Sequence, residues 1–411
     1  MDIEIRPIQP DELPELARVF GTVFGERWPS ESIDDMRRVF EFDRSICGFD
    51  AGAMVATGGA FTFQLAVPGG AQIGAGGLTV IAVLPTHRRR GILRAIMTRH
   101  FEDVLARGEP VSILAASESL LYGRFGYGIA TRAAHLTIDR RNAALRPSPA
   151  ASGRVRMLDT EEAMRVLPEL FERIRRAWPG QVSRGQAWWE MWLRDPGWMR
   201  RDWGPRVVVV HESPGAGGPD GYAGYRQRAQ WSDGLADGIV RVDELFAATP
   251  EANAGLWGFC LDLDLTATVE VRDRPLDDPL HWLLVDPRRL RTKLVADQLW
   301  LRLLDLRAAL AARCYAVPGR LVLEVDDALL PANQGRFVVD GGPDGAVCEP
   351  AGQAEPDVRL DVADLGAAYL GGVSFSTLAR AGRVREGRGG GLTRADAMFA
   401  ADRSPWCSTD F

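Results

Sequence analysis

Residues 77–108 impose the strongest restriction on how this chain can fold. The segment GLTVIAVLP, residues 77–85, is almost continuously apolar, which is typical of a strand covered on both faces of its sheet. A short basic turn follows. Apolar side chains then recur at helical spacing up to Gly108, namely Leu93, Ile96, Met97, Phe101, Val104 and Leu105. A central strand that leads directly into an amphipathic helix predicts an α/β domain.

The turn between this strand and this helix predicts a phosphate-binding site. The first N–H groups of a helix lack an intrahelical partner, and the helix dipole adds positive potential at the same end, so a pyrophosphate fits there. Gly91 allows close approach of the backbone, and Arg88, Arg89 and Arg90 can neutralise phosphate charge through bidentate hydrogen bonds. R-R-R-G alone is more typical of a solvated basic turn, but the strand before it and the helix after it favour the phosphate site.

The length of 411 residues is that of two or three domains. Strand and helix patterns alternate up to about residue 140, and the segment 142–153, rich in Pro, Ala and Ser, is a candidate linker. Asp159, three residues before Glu162, has the pattern of a helix N-cap and opens a second unit. A long helix is predicted over residues 296–315, followed by short strands of an α+β unit. We therefore expect three domains, at residues 1–145, 150–292 and 293–411.

Composition excludes several classes of protein. The formal net charge of −6 argues against a general nucleic-acid binder and would suit a cationic small molecule. No apolar run reaches the ~18 residues of a membrane helix, and the N-terminus lacks the basic region of a signal peptide. Lys293 is the one lysine, which excludes a Schiff-base lysine elsewhere. Five scattered cysteines without a C-x-x-C pair, and five histidines without metal spacing, predict no metal site and reduced thiols in a cytoplasm.

The basic turn matches neither G-x-x-x-x-G-K-[ST] nor G-x-G-x-x-G. Instead, V-x-x-x-x-R-R-R-G-x-L between strand and helix is similar to the acetyl-CoA-binding motif of GNAT-superfamily N-acetyltransferases, [Q/R]-x-x-G-x-[G/A]. Leu93 departs from the small last residue of that pattern. The longer strings VLPTHRRRGILRA and ASESLLYGRFGYGIATR resemble the Eis (enhanced intracellular survival) family of actinobacterial aminoglycoside acetyltransferases.

This resemblance covers the whole chain and implies its architecture. We expect α/β and α+β regions: two tandem GNAT-like domains and a sterol-carrier-protein-like C-terminal domain. The second GNAT-like region has no R-x-x-G turn and is not expected to bind CoA in the same way. The resemblance also implies acetyl-CoA as co-substrate and a homohexamer.

The resemblance assigns acetyl-CoA-binding roles to three segments. The strand backbone would bind the co-substrate at Ile81, Ala82 and Val83. The pyrophosphate would lie on Arg88, Arg89, Arg90, Gly91, Ile92, Leu93 and Arg94. Ser117 and Glu118, at the end of the segment VSILAAS, would lie beside the pantetheine or the acetyl group.

Two catalytic groups are also implied by the resemblance. Tyr122, in Y-G-R-F-G-Y-G, corresponds to the catalytic tyrosine of the family and would protonate the leaving thiol, whereas Tyr127 is interpreted as packing. The carboxylate of the terminal residue, Phe411, would accept the proton of the amine. The alternative for the segment SPWCSTDF is a frayed tail, against which Trp406 and Phe411 argue because both would gain from burial.

A polycationic substrate needs anions and flat apolar walls. Asp410 lies next to the terminal carboxylate, and Glu26 follows the first helix where the family has a substrate-facing acid. Phe24 and Trp28 could form the walls of the pocket. An exposed charge at a helix end is an equally good interpretation of Glu26.

These residues predict an acetyl-CoA-dependent N-acetyltransferase acting on amines of polycationic substrates such as aminoglycosides. Because no thiol lies in a recognisable nucleophile motif, we expect direct transfer in a ternary complex. Two alternatives remain at this stage. One is an acetyltransferase for protein lysines or polyamines. The other is a non-catalytic protein in which a GNAT scaffold accompanies a lipid- or ligand-carrying module.

Overall fold

The computed structural model describes residues 3–147, 153–215 and 217–411, and these form two compact units. Unit 1 contains the described residues up to Thr131, together with Trp178–Ser183 and Asp297–Phe411. Unit 2 contains the described residues of Arg132–Ala177 and Arg184–Ala296. Residues 148–152 of the candidate linker lie outside the described residues. None of the helices in the described ranges is long and apolar enough to cross a membrane.

The strands are, in chain order, β1 (Glu4–Arg6), β2 (Cys47–Asp50), β3 (Ala53–Ala66), β4 (Gln72–Val83), β5 (Val111–Ala115), β6 (Gly128–Ile129), β7 (Arg132–Asp139), β8 (Arg154–Leu158), β9 (Val207–Glu212), β10 (Gly221–Arg228), β11 (Trp231–Ser232), β12 (Leu235–Ala236), β13 (Gly238–Ala247), β14 (Thr266–Arg274), β15 (Leu290–Asp297), β16 (Leu299–Leu303), β17 (Gly319–Asp326), β18 (Gly335–Gly342), β19 (Gly345–Pro350), β20 (Val358–Asp361) and β21 (Val384–Glu386). The helices are α1 (Leu13–Phe24), α2 (Ser30–Val39), α3 (Ile92–Ala106), α4 (Ser119–Tyr122), α5 (Thr160–Arg175), α6 (Gln186–Arg194), α7 (Gly197–Arg200), α8 (Pro250–Leu261), α9 (Leu280–Leu283), α10 (Leu306–Ala312), α11 (Val362–Ala368), α12 (Phe375–Arg380) and α13 (Gly391–Phe399).

The first sheet of unit 1 has the strand order β1-β2-β3-β4-β5-β16-β6. The apolar segment identified first in the sequence is part of β4, which is the central strand, as predicted. Helix α3 also follows the prediction. It buries Ile96, Met97, Phe101 and Val104, and Gly108 lies just beyond its end with φ +72°. The predicted strand–turn–helix unit is therefore present, and its strand is the middle strand of the sheet.

The long helix predicted over residues 296–315 is wrong in its first half. Leu299–Leu303 is strand β16, which pairs antiparallel with both β5 and β6, and only Leu306–Ala312 is helical. All five residues of β16, including Arg302, are buried, so the segment lacks the alternation of buried and exposed residues that would mark a strand. Asp305 starts the helix, because its side chain accepts a hydrogen bond from the N–H of Ala308.

Unit 1 also contains a five-stranded sheet in the order β19-β18-β17-β20-β21. Strand β17 lies in the middle, antiparallel to β18 and parallel to β20. Helices α10 to α13 belong to the same C-terminal region. The region is α+β, as the sequence predicted.

Unit 2 is built on a sheet in the order β15-β7-β14-β13-β10-β9-β8. Its core includes Val240, Val242 and Val269 of the sheet and Leu256 and Trp257 of α8. Asp159 caps α5, as predicted, because its carboxylate accepts the N–H of Glu162 at 2.8 Å.

Candidate active site

A cleft opens in unit 1 where β4 and β5 separate. The two strands pair in parallel only from Ala75 to Gly77, opposite Val111 to Ile113. Strand β4 then continues to Val83, still paired with β3, while β5 ends at Ala115. The edge of β4 beyond Gly77 therefore carries backbone groups that β5 does not satisfy and that a ligand can bind.

A bulge in β4 lies where the strands separate. The register with β3 shifts between Thr57 and Gly59, and Val80 has a left-handed φ of +47°. A β-branched residue in this conformation is strained, at a cost on the order of 1–3 kcal/mol. The Thr57 hydroxyl donates to the carbonyl of Val80 at 2.6 Å and holds the bulge. The bulge alters the course of β4 immediately before Ile81, Ala82 and Val83, which line the cleft.

The cleft has a volume of about 730 Å³. Its lining residues are Val23, Phe24, Ile81, Ala82, Val83, His87, Arg88, Arg89, Gly91, Ile92, Leu93, Arg94, Ser117, Glu118, Leu121, Tyr122, Arg124, Phe125 and Leu329. The structure thus brings nearly all of the sequence-predicted acetyl-CoA residues to one cleft. The exception is Arg90, whose guanidinium lies 3.8 Å from the carboxylate of Asp50.

The start of α3 presents unpaired N–H groups to this cleft. Gly91 is the N-cap residue with φ +81°, Arg89 also has a positive φ of +63°, and no side chain caps the helix. Left-handed residues in such a turn help to direct successive N–H groups into an anion-binding concavity. A Cβ on Gly91 would meet nothing within 4 Å, so the need for glycine comes from its φ. The residues at this turn fit a pyrophosphate.

The corresponding strand-to-helix junction of unit 2 is built differently. After β13, Thr249 caps α8 by accepting the N–H of Ala252 on its hydroxyl, and Pro250 begins the helix without an N–H group. The N–H groups that an anion would need are thus partly used or missing. This agrees with the absence of an R-x-x-G turn there.

Tyr122 lies at the end of α4, lines the cleft and is only 4% exposed. Burial raises the pKa of its phenol. The hydrogen bond with the Ser117 side chain acts in the opposite direction, and the Glu118 carboxylate raises the pKa further. The phenol is therefore protonated at neutral pH and can donate a proton.

Tyr127 lies in the interior of unit 1 and does not line the cleft. Its hydroxyl is 2.7 Å from Ser112 Oγ, which in turn is 2.7 Å from His100 Nε2 and donates to the carbonyl of Gly76 at 3.1 Å. Complete burial lowers the pKa of His100 to about 3, so the imidazole is neutral. The two tyrosines of Y-G-R-F-G-Y-G therefore occupy different environments.

The C-terminal residue packs on the same sheet. The ring centroids of Phe411 and Phe63 are 4.8 Å apart, and a Cβ added to Gly77 would be 3.0 Å from Phe411 Cε2. Gly77 is the last residue of β4 that pairs with β5. Phe411 thus lies on the sheet near the point where the cleft opens.

The tail that carries Phe411 is ordered by two glutamines that sequence reasoning missed. The Gln181 side chain is fully buried, and its Oε1 accepts the hydroxyl of Ser408 at 3.0 Å. The Oε1 of Gln298 accepts the N–H of Cys407 at 3.2 Å. Trp406 is 2% exposed, and its N–H donates to the carbonyl of Pro179. The interpretation as a frayed tail is therefore wrong.

The predicted substrate residues are only partly brought together. Phe24 lines the cleft, is 40% exposed and stacks on Phe20 with a centroid distance of 4.2 Å. Trp28 packs edge-on against Phe20 at 5.6 Å. Glu26 and Asp410 are exposed, and neither is among the residues that line the cleft.

Other lining residues are outside the set of site residues predicted from the sequence. His87 and Arg124 bring further polar groups to the cleft, and Leu329 comes from a distant part of the chain. His87 belongs to the string VLPTHRRRGILRA, but that string does not indicate the contact between His87 and Asp50, at 3.3 Å. Across the described residues, no cluster of three or more His, Cys, Asp or Glu could hold a metal ion.

Family models match three consecutive parts of the chain. Residues 4–130 and 180–305 each match a model described as an acetyltransferase (GNAT) domain, and residues 306–408 match a sterol carrier protein domain. The predicted fold class, two GNAT-like domains followed by a sterol-carrier-like domain, is confirmed.

Relatives match over most of the chain. An uncharacterized N-acetyltransferase of Streptomyces coelicolor is 40% identical over 401 residues, covering 96% of this chain and 95% of that protein. The N-acetyltransferase Eis of Mycobacterium bovis is 38% identical over 347 residues, covering 82% and 81%. The crystal structure of Eis1 from Mycobacterium abscessus superposes with a TM-score of 0.86 at 38% identity, over 99% of this chain and 100% of that one.

Proposed function

The chain belongs to the Eis family of GNAT N-acetyltransferases, and on that basis we propose that it transfers acetyl groups from acetyl-CoA directly to amines of polycationic small molecules such as aminoglycosides. The observation that carries the proposal is that one cleft is lined both by the basic turn at residues 88–94 and by the buried phenol of Tyr122. A site for phosphate and a proton donor therefore share one cavity.

The GNAT fold implies the use of acetyl-CoA, and the residues of the cleft fit it. The uncapped start of α3, with Arg88, Arg89 and Arg94, would hold the pyrophosphate. The backbone of Ile81, Ala82 and Val83 would bind the pantetheine amides, and Ser117 and Glu118 line the same cavity. We propose that Arg90, Ile92 and Leu93 contact acetyl-CoA through the backbone of the turn.

Acetyl-CoA supplies an activated thioester. Tyr122 is the group we assign to protonate the leaving thiol, since burial keeps its Oη protonated at neutral pH. The Ser117 side chain lies near the phenol and lowers its pKa slightly against the effect of burial. Removal of this hydroxyl should therefore slow catalysis without emptying the co-substrate site.

The Phe411 carboxylate is the group we assign to receive the proton of the attacking amine. The burial of Trp406 and the hydrogen bonds that Cys407 and Ser408 donate to Gln298 and Gln181 support this role, because they hold the tail that carries Phe411. An α-carboxylate with a pKa of about 3.5 is a weak base, so it draws the proton through water or stabilises the developing cation.

Direct transfer is supported by the state of the thiols. The described residues that line the cleft include no cysteine. Burial raises the pKa of Cys47 to about 11 and those of Cys260 and Cys348 to about 12, so these thiols are not nucleophilic thiolates at neutral pH. These three thiols are therefore poor sites for an acyl-enzyme.

A cationic substrate is supported by charge and by exposed aromatic surface. The net charge of −6 favours a cation, Glu118 lines the cleft, and the partly exposed ring of Phe24 offers a flat wall. We retain Glu26, Trp28 and Asp410 as further substrate contacts. The proposal includes no nucleic-acid or membrane partner and no metal.

The remaining assignments follow from the family resemblance. We propose domain boundaries at residues 1–145, 150–292 and 293–411, a cytoplasmic location and a homohexamer. The boundary between residues 292 and 293 most needs a test. Strand β16, at residues 299–303, lies after this boundary in the chain but pairs in the first sheet.

The test is thiol release from acetyl-CoA with tobramycin, spermine or a histone peptide as acceptor, each corrected for the rate without acceptor. We expect tobramycin to give the highest kcat/KM and initial-rate plots to intersect, as a ternary complex requires. Preference for spermine or the peptide would move the substrate class to polyamines or protein lysines. Parallel initial-rate plots would contradict direct transfer.

A further inference from the structure

One residue of the sterol-carrier-like domain lines the candidate co-substrate cleft. Within the part of the chain that the structure describes, the other lining residues lie between Val23 and Phe125, and Leu329 alone comes from the C-terminal region. The adjacent Leu330 packs against the same apolar cluster but does not line the cleft. Two neighbouring leucines with similar partial burial thus differ in access to the cavity.

Asp327 fixes the backbone at both leucines. The N–H groups of Leu329 and Leu330 each donate to Asp327 Oδ1 at 3.1 Å. The carboxylate also accepts Arg302 Nη2 at 2.7 and 2.6 Å and Asn333 Nδ2 at 3.1 Å. Both charged side chains are buried, and a buried ion pair with further hydrogen bonds holds its elements firmly because breaking it leaves an uncompensated charge.

Asn333 makes a second connection between this loop, residues 327–334, and the first sheet. Its Nδ2 donates to the carbonyls of Leu303 and Leu304 at 3.2 Å each, and its Oδ1 accepts the N–H of Leu306. Arg302 and Leu303 belong to β16, which pairs with β5 at the edge of the cleft. The loop is therefore attached to the strand beside the cleft and cannot withdraw Leu329 without breaking buried hydrogen bonds.

The surroundings of Leu329 are apolar. It packs in the cluster that contains Tyr122 and Phe125, together with the partly buried Leu93 and Leu121. An acyl-CoA has a charged nucleotide end and an uncharged pantetheine arm. The arginines of the basic turn suit the first, whereas a leucine in an apolar cluster suits the second.

We infer that Leu329 contacts the pantetheine arm of acetyl-CoA, so that the sterol-carrier-like domain supplies part of the co-substrate site. This rests on the proposed function. Removing the apolar contact of a leucine side chain should weaken binding about 5- to 20-fold. Since the arm is held equally in the ground state and the transition state, KM for acetyl-CoA should rise while kcat stays unchanged.

The test is calorimetric titration of the full-length chain with CoA and with adenosine 3′,5′-bisphosphate, which lacks the pantetheine arm. Leu329→Ala should weaken CoA binding and leave binding of the bisphosphate unchanged. Leu330→Ala is the matched control and should leave both unchanged. Leu329→Met, which conserves volume, should retain CoA binding, and thermal melting verifies that each variant is folded.

The outcomes separate this inference from the proposed function. A wild-type chain that binds no CoA would contradict the function itself. A wild-type chain that binds CoA as tightly as Leu329→Ala does would overturn the inference alone. Equal weakening of CoA and of the bisphosphate would also overturn it, because Leu329 would then act on the shape of the whole cleft.

Discussion

Replacing Tyr122 by Phe, with Tyr127→Phe as the matched variant, gives the sharpest test of the candidate active site. Both tyrosines are buried, and their rings lie 6.2 Å apart in the same cluster, so each substitution removes one buried hydroxyl. Only the Tyr122 side chain lines the cleft. The pair therefore separates loss of a proton donor from loss of a buried hydrogen bond.

The two substitutions should differ by orders of magnitude in their effect on kcat. If Tyr122 protonates the leaving thiol, Tyr122→Phe should lower kcat by about 10²–10⁴-fold, equivalent to roughly 3–5 kcal/mol of barrier. It also removes a buried hydroxyl, at a cost of about 0.5–1.5 kcal/mol of folding free energy. Tyr127→Phe leaves Ser112 bonded to His100 and Gly76, so it should cost about 1 kcal/mol of stability and change kcat less than twofold.

The assay is thiol release from acetyl-CoA at saturating amine, with acetyl-CoA binding measured separately by calorimetry. Affinity for acetyl-CoA should be unchanged in both variants. Because burial raises the pKa of Tyr122 from its ordinary value, the wild-type rate should show no loss from this group as the pH rises from neutral into the mildly alkaline range. Loss of kcat in Tyr127→Phe with normal turnover in Tyr122→Phe would refute the assignment.

Three further predictions concern other parts of unit 1. Arg89→Ala should weaken acetyl-CoA binding about 10- to 100-fold by calorimetry, as expected for the loss of one charge-assisted contact. Arg90→Ala should weaken binding less, because the Arg90 guanidinium lies beside Asp50, and equal effects would argue against the turn as described. Converting the Phe411 carboxylate to a carboxamide by semisynthesis should abolish turnover with acetyl-CoA affinity intact, and full activity would show that the terminus is a bystander. Because the pKa of His100 is lowered to about 3, the unfolded chain takes up a proton below pH 6.5 that the folded chain does not. The free energy of unfolding, measured in urea, should therefore fall by about 2–3 kcal/mol between pH 6.5 and pH 4.5, and by less in His100→Gln.

The sequence predicted those parts of the fold that depend on local patterns. The apolar segment of β4 and the helical spacing of α3 are local, so both were recognised. The predicted cap at Asp159 also depends on four consecutive residues. Strand β16 was mistaken for a helix because the signal that makes it a strand is the pairing with β5 and β6, which are distant in sequence.

The candidate site likewise contains residues that local patterns predict and residues that only tertiary contacts place there. The residues of the basic turn and Tyr122 lie in motif strings, and the structure brings all of them except Arg90 to one cleft. The bulge at Val80, the partner of Arg90 and the contribution of Leu329 arise from tertiary contacts that no local pattern reports. Gln181 and Gln298 hold the tail through hydrogen bonds to backbone and hydroxyl groups of residues far along the chain.

The position of β16 has a consequence for the order of events on the ribosome. Strand β5 is synthesised roughly 180 residues before β16, a delay of about 10–40 s at 5–20 residues per second. During this time β5 has an open edge and β6 lacks the partner that it has in the finished sheet. The first GNAT region therefore emerges as an unfinished sheet that must avoid pairing with other chains. A fragment that stops near residue 130 would keep that exposed edge permanently.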